Sequence, residues 1–362
     1  MPPWWALASG LPGSVYPRAW ALVDWAVELV STELVGHTGR LVGLAAALYV
    51  IKRAAILAAL RFVPLPPAKG VVPALHLADA DSRYVEVNGL AVHHTVHGQG
   101  APAVVLLHGF AASSESWRAL IPGLSREHAV VAYDRPGFGL TERPEPEAVD
   151  GPNPYGREAQ VPLLMGLMDA MGIERAVLVG HSAGGGVALA AALAHPERVS
   201  GLVLVDAAIY REGGAPPWLL PLLGTTLVRR MGQRLLRGLV AKLGERIAAR
   251  AWHDPSKLTP ELRAAYERPF QVEGWDRALW HVVAATKPQR LAERLGELAV
   301  PTLVVTGDHD RVIRPADSRR LARELPGARL VVIEAAGHVP HEEQPGAVLA
   351  AVRGFLAEVG EG

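Results

Sequence analysis

The chain has 362 residues, half of them hydrophobic, with 36 basic and 36 acidic side chains and no cysteine. That length and apolar content suffice for a substantial buried core, and the even charge balance argues against a nucleic-acid partner. Without cysteine, disulfides, thiolate catalysis and thiolate metal sites are excluded. Only five of the basic residues are lysine and only Asn88 and Asn153 are asparagine, beside 29 prolines. This bias fits a heat-tolerant protein and equally a GC-rich genome.

Residues 1–70 are apolar, nearly free of strand patterning, and end in the run Pro64-Leu65-Pro66-Pro67. Asp24, Glu28 and Ser31 share one helical face, against a wide apolar arc of Leu22, Val23, Trp25, Ala26, Leu29 and Val30. Leu41–Val63 is apolar enough to suggest a membrane span, but its longest charge-free run is Leu41–Ile51, and Lys52-Arg53 would fall in mid-bilayer. No basic run precedes the apolar stretch and no cleavage pattern is clear, so it does not read as a secretory signal. An N-terminal helical extension is expected, with three roles open for residues 18–63: packing on the rest of the chain, peripheral membrane contact, or a homodimer contact. A cytoplasmic protein is expected, with membrane association left open.

From residue 84 short β-rich runs alternate with helical stretches: Tyr84–Val87, Ala91–His97, Val104–His108, Val130–Asp134, Val177–Gly180, Leu202–Asp206, Leu303–Thr306 and Leu330–Ile333. The first two alternate in polarity across Asn88-Gly89, a hairpin signal. The later ones are continuously apolar, as strands covered on both faces should be. An eight-stranded, mostly parallel, doubly wound α/β sheet follows. The alternation stops at residues 207–286, which read as helices over Leu227–Trp252 and Pro260–Ala285. This predicts a helical cap inserted in a core of residues 71–206 and 287–362, placed over the carboxyl edge of the sheet. The stretch 211–250 carries eight basic residues against Glu212 and Glu245; it reads as a solvated helix face, with anionic lipid or carboxylate substrates as the alternative. Trp218, Leu219 and Leu222 are the expected lining of an apolar acyl pocket, with packing of cap on core as the other reading.

The most specific stretch is Val177-Leu178-Val179-Gly180-His181-Ser182-Ala183-Gly184-Gly185-Gly186. A buried-strand pattern runs into Gly-x-Ser-x-Gly, and an alanine-rich helical pattern, Val187–Ala194, follows. This is the setting of a nucleophile elbow, in which a sharp strand-to-helix turn holds a strained serine above a helix N-terminus. Gly180 and Gly184 lack the Cβ that would crowd so tight a turn.

Residues 84–358 resemble the α/β-hydrolase superfamily, in its esterase, lipase and carbon–carbon hydrolase branches. The motifs that carry the resemblance occur in the expected order: His108-Gly109-Phe110, the run Tyr133–Gly139, the Ser182 elbow, Gly307-Asp308-His309-Asp310, and Gly337-His338. An α/β-hydrolase fold with Ser182 as nucleophile is implied. A serine needs an adjacent base, and the base an orienting partner. His338, in a loop just past the last strand, is the expected base; His341 belongs to the following helix start and His181 to the packing of the elbow. Asp308 and Asp310 both follow the strand Leu303–Thr306, and the resemblance favours Asp310 as the acid. It also implies an oxyanion hole from the backbone N–H groups of Phe110 and Ala183, with His108 and Gly109 shaping the loop. Asp134 and Arg135 are expected to brace that loop as a pair. Serine at the elbow, where dehalogenases and epoxide hydrolases of this fold carry aspartate, argues against both activities.

The resulting expectation is hydrolysis of a small-molecule ester of an apolar acyl group, with no cofactor and no metal. Carbon–carbon bond hydrolysis and cofactor-free perhydrolysis use the same triad and stay open. A small-molecule receptor with vestigial hydrolysis is the reading from outside enzymology.

Overall fold

The computed structural model describes residues 45, 47–52, 65–149, 151–210, 213–214 and 217–360. The chain divides into two compact units, residues 1–65 and 66–362. Of the first, residues 45 and 47–52 are helical, with Tyr49, Val50 and Ile51 exposed. Most of residues 18–63, and with them the roles expected of that stretch, lie outside the described residues. Among the described residues no helix is long and apolar enough to cross a membrane.

The second unit is built on eight strands: β1 (Arg83–Val87), β2 (Leu90–His97), β3 (Ala103–Leu107), β4 (Val130–Tyr133), β5 (Ala176–His181), β6 (Val199–Val205), β7 (Thr302–Gly307) and β8 (Arg329–Ile333). Their order across the sheet is β1-β2-β4-β3-β5-β6-β7-β8. β2 pairs antiparallel with β1 and β4, and the pairs from β4 through β8 are parallel. The predicted Asn88-Gly89 hairpin is present, with φ of 53° and 74°, as a two-residue turn matched to strand twist requires.

The apolar runs bury both faces because alternate side chains enter different cores. Val105, Leu107, Leu178, Leu202, Leu204 and Val304 pack with helices α1 (Arg157–Ala170) and α2 (Ala183–Ala194). Val104, Leu106, Val177, Val179, Val203, Val205, Leu303 and Val305 pack with Val348, Val352 and Phe355 of the C-terminal helix Pro345–Gly360. The crossovers leave the carboxyl ends of β3, β5, β6, β7 and β8 at one edge, where all the functional side chains collect.

Between β6 and β7 lies the expected helical insertion: α3 (Thr226–Ala251), α4 (Pro260–Glu267) and α5 (Trp275–Ala285). The sequence pattern reads Pro260–Ala285 as one helix, whereas the structure breaks it after Glu267. Pro269 falls in a tighter turn over Arg268–Gln271, and Gly274, at φ 74°, opens α5. Proline cannot donate the helical N–H, and a left-handed residue reverses the chain's course. The insertion touches the carboxyl edge through its backbone. The Ala251 carbonyl accepts the N–H of His338 at 2.6 Å; elsewhere, Val272 bridges to Val72 of the segment before β1.

Candidate active site

Ser182 joins β5 directly to α2, with φ 50° and ψ −116°. For a residue with a Cβ this is strained backbone, and such strain is held only where the surroundings enforce it. The Ser182 N–H donates to the Val205 carbonyl at 3.0 Å, and its own carbonyl accepts the Ala208 N–H at 3.0 Å. The flanking glycines are sterically obligatory. A methyl on Gly180 would lie 2.6 Å from the Gly185 Cα, and one on Gly184 would lie 2.3 Å from the Leu107 carbonyl oxygen. The elbow thus requires a close backbone approach to β3 that only glycine permits.

Three side chains from three strand ends meet at this turn. Ser182 Oγ lies 3.1 Å from His338 Nε2, and His338 Nδ1 lies 2.7 Å from Asp310 Oδ2. All three are buried, Ser182 being 8% exposed. The second Asp310 oxygen accepts the N–H groups of Val312 at 2.6 Å and Ile313 at 3.0 Å. The carboxylate is therefore fixed by the chain independently of the histidine. Asp308 lies elsewhere: its Oδ1 meets His309 Nδ1 at 2.7 Å and accepts the Ala336 N–H at 3.1 Å. It closes the turn between β7 and the His338 loop.

Around His338 sits a shell of neutral rings. The His181 ring lies 4.7 Å from the His338 ring and 4.6 Å from that of His341. His181 Nε2–H donates to the His338 carbonyl at 2.8 Å, and burial, then the nearby His341 and His338, hold its pKa well below the usual histidine value. His341, in the short helical turn Pro340–Glu343, is buried and without hydrogen-bond partners, and burial lowers its pKa to about 3.

The loop after β3 passes close to Ser182. A methyl on Gly109 would lie 2.8 Å from His181 Nδ1 and 3.4 Å from Ser182 Cβ. His108 is kept neutral, its pKa lowered to about 3 by burial and then by the Arg135 charge. Accordingly its Nδ1–H donates to the Gly109 carbonyl at 2.7 Å while Nε2 accepts the Arg135 N–H at 3.0 Å. Arg135 Nη2 donates to the same Gly109 carbonyl at 3.0 Å. This pins the loop that presents Phe110, whose side chain is 52% exposed and stands edge-on to Phe138 at 5.6 Å. Ala183 opens α2, so its N–H is among the four that a helix leaves without an internal acceptor.

Two expectations need correction. Asp134 and Arg135 brace the loops but not as a pair. Asp134 is held by His93 Nδ1 at 2.8 Å and by the N–H groups of Ser114 and Leu140, both at 2.7 Å, while Arg135 reaches Gly109. Burial would raise the Asp134 pKa, but the hydrogen bond from His93 and the nearby charges outweigh it, and the carboxyl is held far below the usual range. Adjacent residues in this loop point in opposite directions, which sequence adjacency does not reveal. The acyl-pocket residues are also displaced. Trp218 and Leu222 are 74% and 50% exposed, and Leu219 is half-buried. A nook of about 10 Å³ lies beside Ala111, between Gly137, Phe138, Phe270, Trp275 and Leu279.

Sequence reasoning missed two carboxyls. Asp206, at the end of β6, accepts from Thr306 Oγ1 at 2.6 Å and from the Gly307 N–H at 3.3 Å. Glu343 accepts from Gly337 N at 2.8 Å, His253 N at 2.9 Å and Asp254 N at 2.6 Å. Asp206 closes a buried apolar run, a signal that could have found it; nothing in the local pattern distinguishes Glu343 from Glu342. An oxygen of Asp206, one of Asp310 and a ring nitrogen of His338 lie within 4.8 Å of one another, but the histidine nitrogens already meet Asp310 and Ser182.

This fold and this edge define an α/β hydrolase, and the sequence profile of the alpha/beta hydrolase fold family matches residues 102–345. The chain belongs to that family. It is 30% identical over 286 residues to the 2-hydroxymuconate semialdehyde hydrolase of a Pseudomonas species, covering 75% of this chain and 93% of the relative. Among solved structures it resembles the enol-lactonase of Burkholderia xenovorans, with a TM-score of 0.63, 26% identity, and coverage of 76% of this chain and 100% of the other. A thermophilic esterase of Thermogutta terrifontis matches with a TM-score of 0.63 and 27% identity over 76% of this chain and 99% of the other.

Proposed function

We propose that the protein is a serine hydrolase that cleaves carboxylic esters through an acyl-enzyme on Ser182. The observation that carries this reading is the continuous chain of contacts from Ser182 Oγ to His338 Nε2 at 3.1 Å and from His338 Nδ1 to Asp310 at 2.7 Å. In the first step Ser182 Oγ attacks the ester carbonyl carbon and its proton passes to His338 Nε2. The imidazolium is stabilised by Asp310, and the negative charge moving onto the carbonyl oxygen is met by the N–H groups of Ala183 and Phe110. Collapse of the tetrahedral adduct breaks the C–O bond, and His338 returns the proton to the departing alcohol. Water then attacks the acyl-enzyme by the same route, with His338 again taking and returning the proton, and the carboxylic acid leaves.

The apolar side chains of Phe138, Phe270, Trp275 and Leu279, gathered beside Ala111, support an apolar acyl group. Resemblance to a thermophilic esterase and to an enol-lactonase favours cleavage of an ester bond. Resemblance to the 2-hydroxymuconate semialdehyde hydrolase supports a second reading, carbon–carbon bond hydrolysis by the same three residues. A panel of 4-nitrophenyl esters assayed beside a ring-fission product separates them. The first reading expects repeated turnover of esters at a kcat/KM well above that for the ring-fission product. The opposite ranking would favour the second.

A further inference from the structure

The Asp206 carboxyl has no part in the steps above, yet it occupies the most enclosed position of the site, with no exposed surface at all. Its two oxygens meet the Thr306 hydroxyl and the Gly307 N–H, and one of them lies within 4.8 Å of an Asp310 oxygen. The titratable groups gathered with it are Asp310 from the loop after β7 and His338 from the loop after β8. Two buried carboxyls whose oxygens lie this close disfavour joint ionisation, so one keeps a proton. The hydrogen bonds decide which. Asp310 accepts three N–H bonds at 3.0 Å or less, one from the ring that must become imidazolium. Asp206 accepts one hydroxyl and one long N–H bond, and so is the poorer home for the charge.

We propose that Asp206 holds a proton and donates it as a hydrogen bond to Asp310, so that the pair presents a single negative charge to His338. Asp206 is thereby a positioning residue for the hydrolysis proposed above, acting on the imidazole through Asp310. Burial, and then the Asp310 charge, push Asp206 well above the usual carboxylate range. The donated bond anchors the Asp310 carboxylate from behind, while Val312 and Ile313 hold it from the side. A second negative charge here would bind the imidazolium too tightly for it to return its proton to the alcohol; a neutral donor holds Asp310 without that effect.

The proton can be read without any reaction. Full-length Ser182→Ala protein, prepared with and without isotope-labelled aspartate, is examined by infrared spectroscopy at pH 8 for the carbonyl stretch of a protonated carboxylic acid. A label-sensitive band is expected, and it should vanish in the Ser182→Ala/Asp206→Asn variant. The label excludes a contribution from Glu342, the other buried carboxyl raised in this region. In the active protein Asp206→Asn, which keeps a neutral donor, should hold kcat within about threefold and leave the kinetic pKa of the base in place. Asp206→Ala, which removes the donor, should lower kcat about tenfold or more at unchanged KM. Absence of the band, or a drop of a full unit in the base's kinetic pKa in Asp206→Asn, would show Asp206 to be ionised and overturn the proposal. A band present beside an active Ser182→Ala enzyme would retain the proton on Asp206 while removing the hydrolase reading.

Discussion

The backbone N–H of His338 donates to the carbonyl of Ala251, the last residue of α3, at 2.6 Å. The loop that carries the proposed base is thus closed against the helical insertion. The same seam includes Gly337, where a methyl would lie 2.4 Å from the Ala251 oxygen. It also includes Glu343, whose carboxylate joins Gly337 of the loop to His253 and Asp254 of the insertion. The insertion is consequently part of the scaffold that positions the imidazole.

Replacing Glu343 by Gln should therefore damage catalysis as well as stability. The amide keeps one acceptor oxygen and turns its NH2 toward a backbone N–H, leaving a buried donor unpaired, a defect that costs about 1–3 kcal/mol. Glu343→Gln should lower kcat about tenfold or more and lower the melting temperature, measured by ester kinetics and thermal unfolding. Unchanged kcat would show that the His338 loop holds its place without the seam.

At the elbow, Gly184→Ala should destabilise the protein by several kcal/mol, because its methyl would meet the Leu107 and His108 carbonyl oxygens at 2.3 and 2.5 Å. Two residues on, Gly186→Ala meets nothing nearer than 4.0 Å and should stabilise α2 by about 0.5–1 kcal/mol. Denaturant unfolding of the two variants checks the contrast.

Glu342 carries a pH dependence of defined sign. Burial, opposed by the Arg118 charge, raises its pKa to about 7 from 4.5. The folded chain therefore binds this proton more tightly than the unfolded chain does. The stabilisation from the neutral form is complete below about pH 4.5 and is lost as pH rises through about 7. Glu342→Gln, neutral throughout, should gain on the wild type between pH 5 and pH 8 by on the order of 2–3 kcal/mol, read by denaturant unfolding at each pH. Parallel stability curves would place Glu342 outside this account.

Asp310→Asn should lower kcat by about 10³- to 10⁴-fold, because the amide favours the wrong imidazole tautomer. Asp308→Asn should change kcat only modestly, since Asp308 meets His309 and the Ala336 N–H and not the base. Kinetics of both variants at matched thermal stability test the assignment, and a reversed order would transfer the acid role to Asp308.

How far the sequence reaches is visible in these residues. All eight strands are legible, β1 and β2 from alternation across Asn88-Gly89 and the other six because a buried parallel strand is a continuous apolar run, and strand ends differ from expectation by a residue or a few. Ser182, His338 and the contest between Asp308 and Asp310 are legible because each follows such a run, where the fold gathers its side chains. What decides that contest is a side-chain direction, Asp310 toward His338 and Asp308 toward Ala336, which no local pattern encodes. Direction likewise separates Asp134 from Arg135 and leaves Trp218 on the surface. Glu343 was illegible because its three partners come from the insertion and the His338 loop, and only the packing of those two brings them together.

The central claim is the covalent role of Ser182, and one measurement tests it most directly. Wild-type and Ser182→Ala proteins are mixed with a 4-nitrophenyl ester, quenched within the first turnover, and examined by intact-mass and peptide-mapping mass spectrometry. The account predicts one added acyl group on the wild-type chain, located on the peptide that contains Ser182. Ser182→Ala should show no adduct and a steady-state rate reduced by about 10⁴-fold or more. An adduct on another residue, or a Ser182→Ala enzyme retaining more than about a tenth of wild-type turnover, would contradict it.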